Sequence, residues 1–327
     1  MSGHDIIVIG ASAGGVEALA QVAQDLPADL AAAVFIVLHV PAHGVSVLPA
    51  ILSRRGPLPA THPVDGEPIR SGHIYIAPPD HQLLVKHGHV RVVRGPNENG
   101  HRPSVDPLFR SAARFYGPRV IGVILSGTLD DGTSGLMSVK RRGGLAVVQD
   151  PEEALFSGMP RSAVENVSVD WVVPLAEVGA TLTHLAREPI PEAWEAASAE
   201  LEGEVDVAEM EMGAIEAPRP GAPSGFTCPD CHGALWEVQE GDLIRFRCRV
   251  GHAYSPDSLV AAQSEALEEA LWIAMRSLEE NAALSDRLAE RAQGRGHGLA
   301  AERFGEQAQD ARHRASIIRQ ALTQGQL

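Results

Sequence analysis

Ile6-Ile7-Val8-Ile9-Gly10-Ala11-Ser12-Ala13-Gly14-Gly15-Val16-Glu17-Ala18-Leu19 runs a buried strand into a helix through a glycine-rich turn. The aliphatic run Ile6–Ile9 reads as a strand covered on both faces. From Gly14 to Leu26 the pattern is amphipathic and helical, ending before Pro27. The residues that follow repeat the theme. Val34–Leu38 is a second buried strand, His73–Ala77 a third, and Leu83–Lys86 with Val90–Val93, joined at His87-Gly88-His89, a hairpin. Val105–Phe115 and Thr133–Arg141 are helical, with a buried strand at Val120–Leu125 between them. Leu145–Val148 and Trp171–Val173 add strands, and Leu175–Ala186 closes the set as a helix. This alternation predicts an α/β domain over residues 1–187, a doubly wound and mostly parallel sheet with helices on both faces.

The composition changes after Arg187. Residues 188–216 hold ten acids and no Lys or Arg, and a Pro/Gly-rich stretch follows, so 188–224 is expected to be a solvated linker. All three cysteines fall in a compact module at 225–255. Residues 256–327 are helical. Phe304, Ala308, Ala311, Ala315, Ile318 and Leu322 make one seam, and Leu267, Leu271, Ala274 and Leu278 a second. Gly294, Gly296 and Gly298 separate the two, which predicts an antiparallel helical hairpin.

With 327 residues, 44% hydrophobic and 21% charged, the chain can bury a proper core. A net charge of −15 argues against nucleic acid or an anionic membrane surface as partner. The longest apolar run, Leu30–Val40, is interrupted by His39 and falls short of a membrane span. Met1-Ser2-Gly3-His4-Asp5 has no basic region of the kind that opens a signal peptide, so a cytoplasmic location is expected.

Two chemistries compete for the Gly10–Gly15 turn. A dinucleotide fingerprint, and with it an oxidoreductase, wants glycine where Ser12 stands and an acid at the end of the second strand, where this chain has His39. The alternative is a nucleophile elbow, with Ser12 on a sharp turn and the N–H groups of the helix start available to an oxyanion. The plain role for Ser12 is a helix N-cap. His39 follows the second strand and Asp130-Asp131-Gly132 follows the strand ending at Leu125, so all three loops emerge at the carboxyl edge of a parallel sheet. With 14 histidines in the chain, His39 alone is as well explained by structure; a hydroxyl, an imidazole and a carboxylate together favour acyl transfer. A non-catalytic adaptor acting through its C-terminal modules is the other alternative, and it has no use for that trio.

Several motifs occur in a family-like order: Gly10-Ala11-Ser12-x-Gly14-Gly15, His39-Val40-Pro41, Tyr75-Ile76-Ala77-Pro78, His101-Arg102-Pro103-Ser104-Val105-Asp106, Gly122–Gly127, Asp131-Gly132 and Gly158-Met159-Pro160. Residues 5–187 resemble the catalytic domain of the chemotaxis protein-glutamate methylesterases. The resemblance implies a serine hydrolase that cleaves glutamate methyl esters on chemoreceptor helices, opposing a methyltransferase and releasing methanol without a cofactor. Some members also deamidate glutamine. The family's nucleophile, base and carboxylate fall on Ser12, His39 and Asp131. Where the family commonly has Gly-Met-Gly-Asn, this chain has Gly127-Thr128-Leu129-Asp130. Asp130 is therefore a rival carboxylate, with a helix-opening acceptor role at Thr133 as its expected function. The family's receiver domain has no room ahead of Asp5, so control is expected from the acidic linker and tail. Ser104 is expected to cap the helix after it and Met159 to line the cleft or the core. Arg102 is open between binding an acidic segment and simple exposure.

Cys228-x2-Cys231-x16-Cys248-x3-His252 is close to known tetrahedral zinc spacings, with a hairpin expected between the two pairs. Three thiolates and one imidazole leave no open position, so the ion would be structural. His232 is the rival fourth ligand. A similar zinc-ribbon-like tail appears in some stand-alone members of the family.

Overall fold

The computed structural model describes residues 3–190, 199–208, 221–240 and 243–323. In chain order the first elements are β1 (Ile6–Ala11), α1 (Gly15–Asp25), β2 (Ala33–Leu38), α2 (Leu48–Arg55), β3 (Ala60–Thr61) and β4 (Ile74–Ile76). The hairpin β5 (Gln82–Lys86) and β6 (His89–Val93) precedes α3 (Val105–Tyr116), β7 (Val120–Ile124) and α4 (Thr133–Arg141). Then come β8 (Leu145–Gln149), α5 (Gly158–Asn166), β9 (Trp171–Val173) and α6 (Leu175–Leu185). The rest is α7 (Ala199–Ala208), β10 (Ala222–Thr227), β11 (Ala234–Glu240), β12 (Leu243–Cys248), β13 (Ala253–Tyr254), α8 (Pro256–Gly294) and α9 (Gly298–Thr323).

The main sheet has seven strands in the order β3-β4-β2-β1-β7-β8-β9, every pair parallel. Because successive residues of a strand face opposite sides, β1 feeds two cores at once. Ile7 and Ile9 join residues of α1, α2 and α6 on one face. Ile6 and Val8 join residues of α3, α4 and α5 on the other. The doubly wound expectation holds. β1 lies at the sheet centre with β2 on one side and β7 on the other, and the loops leaving these three strands meet at the carboxyl edge, where the strand order reverses.

Three α-helices were not expected from local pattern. α2 follows a Pro- and Gly-containing loop and carries a proline at its start. α5 opens on Gly158-Met159-Pro160, which reads as a breaker cluster. α7 lies inside the stretch expected to be solvated, yet its Leu201, Val205, Val207 and Ala208 are buried. Arg114 of α3 meets Asp206 of α7 at 2.6 Å, so the α3 surface stabilises a segment too short and too acidic to be helical unaided. The remaining acidic residues of 188–220 lie largely outside the described residues.

Two compact units divide the chain, Met1–Leu259 and Val260–Leu327. The first contains the cysteine module, a four-stranded antiparallel sheet in the order β10-β11-β12-β13. The second is an antiparallel helix pair, with Ala301, Ala308, Ala311 and Ala315 of α9 buried, as are Met275, Ala282 and Ser285 of α8. Leu267 does not join the seam and is 49% exposed. Arg319 pairs with Glu279 and Arg312 with Asp286, which puts the end of the shorter helix α9 well short of Leu267. Among the described residues no helix is long and apolar enough to cross a membrane.

Candidate active site

Ser12 stands immediately after β1. Its N–H donates to the Ser126 carbonyl at 3.0 Å, tying the turn to the loop after β7. Glycines allow this close approach: a Cβ at Gly127 would lie 2.1 Å from Met159 Sδ and 3.0 Å from Ser12 Cβ. Gly14, with φ 72°, occupies the N-cap position of α1, so capping is not the role of Ser12. The Ser12 hydroxyl instead lies 3.1 Å from His39 Nδ1.

His39 prolongs β2, its N–H donating to the Ala11 carbonyl. Its other ring nitrogen, Nε2, is 2.7 Å from Asp131 Oδ2. The usual triad wiring, Nδ1 to the carboxylate, is therefore reversed here. The sheet order explains it. Ser12 is on the neighbouring strand, within reach of the nitrogen closest to the His39 backbone. Asp131 lies beyond β7, one strand further, and only the far nitrogen reaches it. An ionised carboxylate can only accept, so Nε2 carries the proton and Nδ1 accepts from the Ser12 hydroxyl. The His101 ring stacks on His39, centroids 3.7 Å apart and planes within 17°. Burial, followed by the neighbouring His39 charge, pushes His101 down to about 4, so it is neutral beside that imidazole.

Asp131 is held from several sides. Besides His39 it accepts from Asn99 Nδ2 at 2.8 Å, Ser104 Oγ at 3.0 Å and the Val105 N–H at 2.7 Å. The last bond puts it at the N-terminus of α3, where the helix dipole favours negative charge. Burial, the largest influence, favours the neutral acid; the hydrogen bond and charge of His39 and the Val105 N–H outweigh it and hold the carboxyl well below the usual range. Ser104 takes the N-cap position expected of it, but its hydroxyl makes no cap bond and turns to Asp131 instead. The carboxylate from the other loop caps the helix.

Asp130 faces away from this cluster. Its backbone carbonyl, not its carboxylate, accepts the Thr133 N–H at 3.1 Å, so the expected helix-opening role of the side chain is corrected. The carboxylate accepts from Ser255 Oγ at 2.7 Å, the last residue of the cysteine module, and from Ser258 Oγ at 2.9 Å, in the first turn of α8. Burial raises its pKa, and the two serine bonds oppose that. Leu129 has φ 59°, a conformation that crowds a Cβ. Leu129→Gly is expected to stabilise the fold by about 1 kcal/mol, read as a higher midpoint in urea at unchanged m.

Arg102 is not simply exposed. Its Nε is 2.8 Å from Asp80 Oδ1 and its Nη1 2.9 Å from the Gly95 carbonyl, so its charge is matched within the protein. Met159 is fully buried in the core. Asn99, His101 and the Asp131-holding role of Ser104 escaped the sequence argument. The His101–Asp106 motif was the one available signal for the last two, and it did not say where their side chains go.

The ligand atoms of Cys228, Cys231, Cys248 and His252 all lie within 4.8 Å of one another. Cys231 Sγ is 3.6 Å from Cys248 Sγ, and His252 Nδ1 is 3.5 Å from Cys248 Sγ and 3.7 Å from Cys228 Sγ. Such separations suit the corners of a tetrahedron around one ion, and the Cys₃His donor set suits zinc. His232 is exposed and outside the cluster.

A parallel α/β sheet carrying a serine, a histidine and a carboxylate in series at its carboxyl edge has the architecture of a serine hydrolase. The CheB methylesterase family profile matches residues 7–182, and the chain belongs to that family, one of carboxylic-ester hydrolases. A protein of Leptospira interrogans named putative protein-glutamate methylesterase/protein-glutamine glutaminase is 40% identical over 176 residues, 54% of this chain and 91% of that one. Protein-glutamate methylesterase/protein-glutamine glutaminase 2 of Anaeromyxobacter dehalogenans is 39% identical over 183 residues, 56% of this chain and 54% of that one. The Thermotoga maritima CheB methylesterase catalytic domain, known from its crystal structure, superposes with a TM-score of 0.54 at 34% identity, covering 57% of this chain and 100% of the other. The family resemblance noted in the sequence is borne out. The cysteine module and the helix pair lie beyond the matched residues.

Proposed function

We propose that this chain is a serine protein-glutamate methylesterase acting on methylated chemoreceptor helices in the cytoplasm, against an opposing methyltransferase. The observation that carries this is the continuous series Ser12 Oγ, His39 Nδ1, His39 Nε2, Asp131 Oδ2. Ser12 Oγ attacks the ester carbonyl while His39 Nδ1 takes its proton. Asp131 holds the Nε2 proton and stabilises the imidazolium. The Ala13 and Thr128 N–H groups, which have no acceptor among the described residues, are the donors for the oxyanion. Collapse expels the methoxy group, protonated by His39 to methanol. Water, deprotonated by the same imidazole, then releases the glutamate carboxylate. Glutamine deamidation follows the same course with ammonia leaving, and neither reaction needs a cofactor. Neither nucleic acid nor direct membrane insertion has a part in it. A non-catalytic adaptor or an oxidoreductase would have no need of this series. The test is methanol release from methyl-labelled receptor, with Ser12→Ala as control.

A protonated His39 cannot accept the serine proton, so kcat is expected to fall at acid pH. His101, pushed down to about 4, stays neutral beside it. A rate flat from about pH 5 to 8 at saturating substrate would contradict the role of His39 as base.

Cys228, Cys231, Cys248 and His252 are assigned as ligands of a structural zinc, which supplies no chemistry to the ester. A module of roughly 30 residues has too little core to fold unaided. Metal analysis of protein purified without chelator is expected to give about one zinc per chain. Protein free of metal would refute the assignment.

A further inference from the structure

We propose that Asn99 is a positioning residue of the triad and that the Cys₃His module sets its orientation, making the folded module a working part of the active site. This rests on the triad proposed above. The loop 96–101 lies between the module and the catalytic carboxylate, and it is gripped from both sides.

On the module side the grip is mostly backbone. The Asn99 N–H donates to the Ala253 carbonyl at 2.7 Å, and the Ala253 N–H to the Asn97 carbonyl at 3.3 Å, so β13 adds this loop to its edge. Asn97 Nδ2 reaches Asp230 Oδ1 at 3.2 Å. Glu98 is buried between two arginines, Arg110 of α3 at 2.6 Å and Arg245 of β12 at 3.0 Å. A carboxylate buried this way is destabilising unless its partners stay in place, so the module cannot be withdrawn cheaply.

On the catalytic side the Asn99 amide is the link. Its Nδ2 donates to Asp131 Oδ1 at 2.8 Å and to Asp106 Oδ2 at 3.0 Å, bridging two buried carboxylates. Its Oδ1 accepts the Ser255 N–H at 3.0 Å. That bond and the two carboxylates together fix which way the amide faces. With Oδ1 turned to Ser255, both Nδ2 protons face the carboxylates; flipped, an oxygen would face two acceptors and a nitrogen the Ser255 donor. Ser255 lies three residues past His252, so the module that holds His252 also holds the donor that orients Asn99. The same segment, through Ser255 and Ser258, holds Asp130, the residue before Asp131. His101, at the end of the loop, stacks on His39. Loss of the module would therefore release the contacts that place both the acid and the base.

The full-length protein is assayed for methyl-ester hydrolysis with its zinc, after chelation, and as Asn99→Ala and Asn99→Asp. The far-downfield proton resonance of the His39–Asp131 hydrogen bond serves as a readout independent of turnover. Asn99→Ala is expected to lower kcat about 10- to 100-fold, the range for loss of a hydrogen bond to a charged group, with KM changed less than about threefold. Asn99→Asp retains an oxygen for Ser255 but puts a carboxylate against Asp131, and is expected to lower kcat further. Both substitutions shift the downfield resonance. Chelation is expected to shift it as well and to lower kcat at least as much as Asn99→Ala, with a smaller effect in that variant than in the wild type, because part of both effects passes through Asn99. Circular dichroism reports whether Asn99→Ala folds; if it does not, Asn99→Asp and chelation decide. Wild-type kcat and an unmoved resonance after zinc has been removed, or in a folded Asn99 variant, would overturn the inference. Ser12→Ala runs alongside: if it stays active, the triad itself is misassigned, whereas an inactive Ser12→Ala beside fully active Asn99 variants removes only the positioning role.

Discussion

Ser12→Ala is expected to lower kcat for methyl-ester hydrolysis by about 10⁴-fold or more while the protein keeps its fold. The size of the effect follows from the loss of the covalent route. His39 would still be held by Asp131, but no oxygen would be placed to attack. The fold is spared because the structural bond at this position, Ser12 N–H to the Ser126 carbonyl, belongs to the backbone. The Ser12 side chain is only half-buried, so its hydroxyl contributes little to packing. Methanol release at saturating substrate measures the loss, and circular dichroism checks the fold. A variant retaining half its activity would show that Ser12 is not the nucleophile.

Asp131→Asn and Asp130→Asn, compared side by side, form the second strong test. Asp131→Asn is expected to cost about 10⁴ in kcat, because an amide that turns its nitrogen towards His39 Nε2 imposes the wrong tautomer. It also replaces an acceptor that receives bonds from Asn99, Ser104 and the Val105 N–H, so some stability is lost as well. Asp130→Asn is expected to cost less than about tenfold, since its carboxylate faces Ser255 and Ser258 and one amide oxygen can accept from both hydroxyls. Asn at that position also relieves a buried acid whose pKa is raised by its surroundings. If Asp130→Asn were the crippled variant, the carboxylate of the triad would have to be reassigned by one residue.

Six of the seven strands of the main sheet were legible because each is a short apolar run bounded by turn residues; β3, two residues long, carries no such pattern. Thr133–Arg141 was legible to the residue, as a helix opening directly after Gly132. Pattern failed where it is weak by nature. Pro49 and Gly158-Met159-Pro160 resemble chain breakers, although proline is tolerated in the first turn of a helix, and α2 and α5 each start there. α7 becomes helical against α3, a surface nearly a hundred residues earlier in the chain. Its own acidic sequence carried no sign of that docking.

The amino-acid order alone determined the strand–helix alternation, the placing of Ser12, His39 and Asp131 at strand ends, and the Cys₃His spacing. These depend on local periodicity and turn chemistry, which act over a few residues. Tertiary structure decided which nitrogen of His39 meets which partner, that Asp131 rather than Asp130 turns to it, and that Ser104 serves the carboxylate and not its own helix. It also decided that the cysteine module closes on the loop bearing Asn99. Those choices rest on strand order and on pairs 27, 92 and 156 positions apart: Ser12 with His39, His39 with Asp131, and Asn99 with Ser255. Hydrogen-bond direction and side-chain facing exist only once such distant residues share a few ångströms of space, and local pattern carries no information about that meeting.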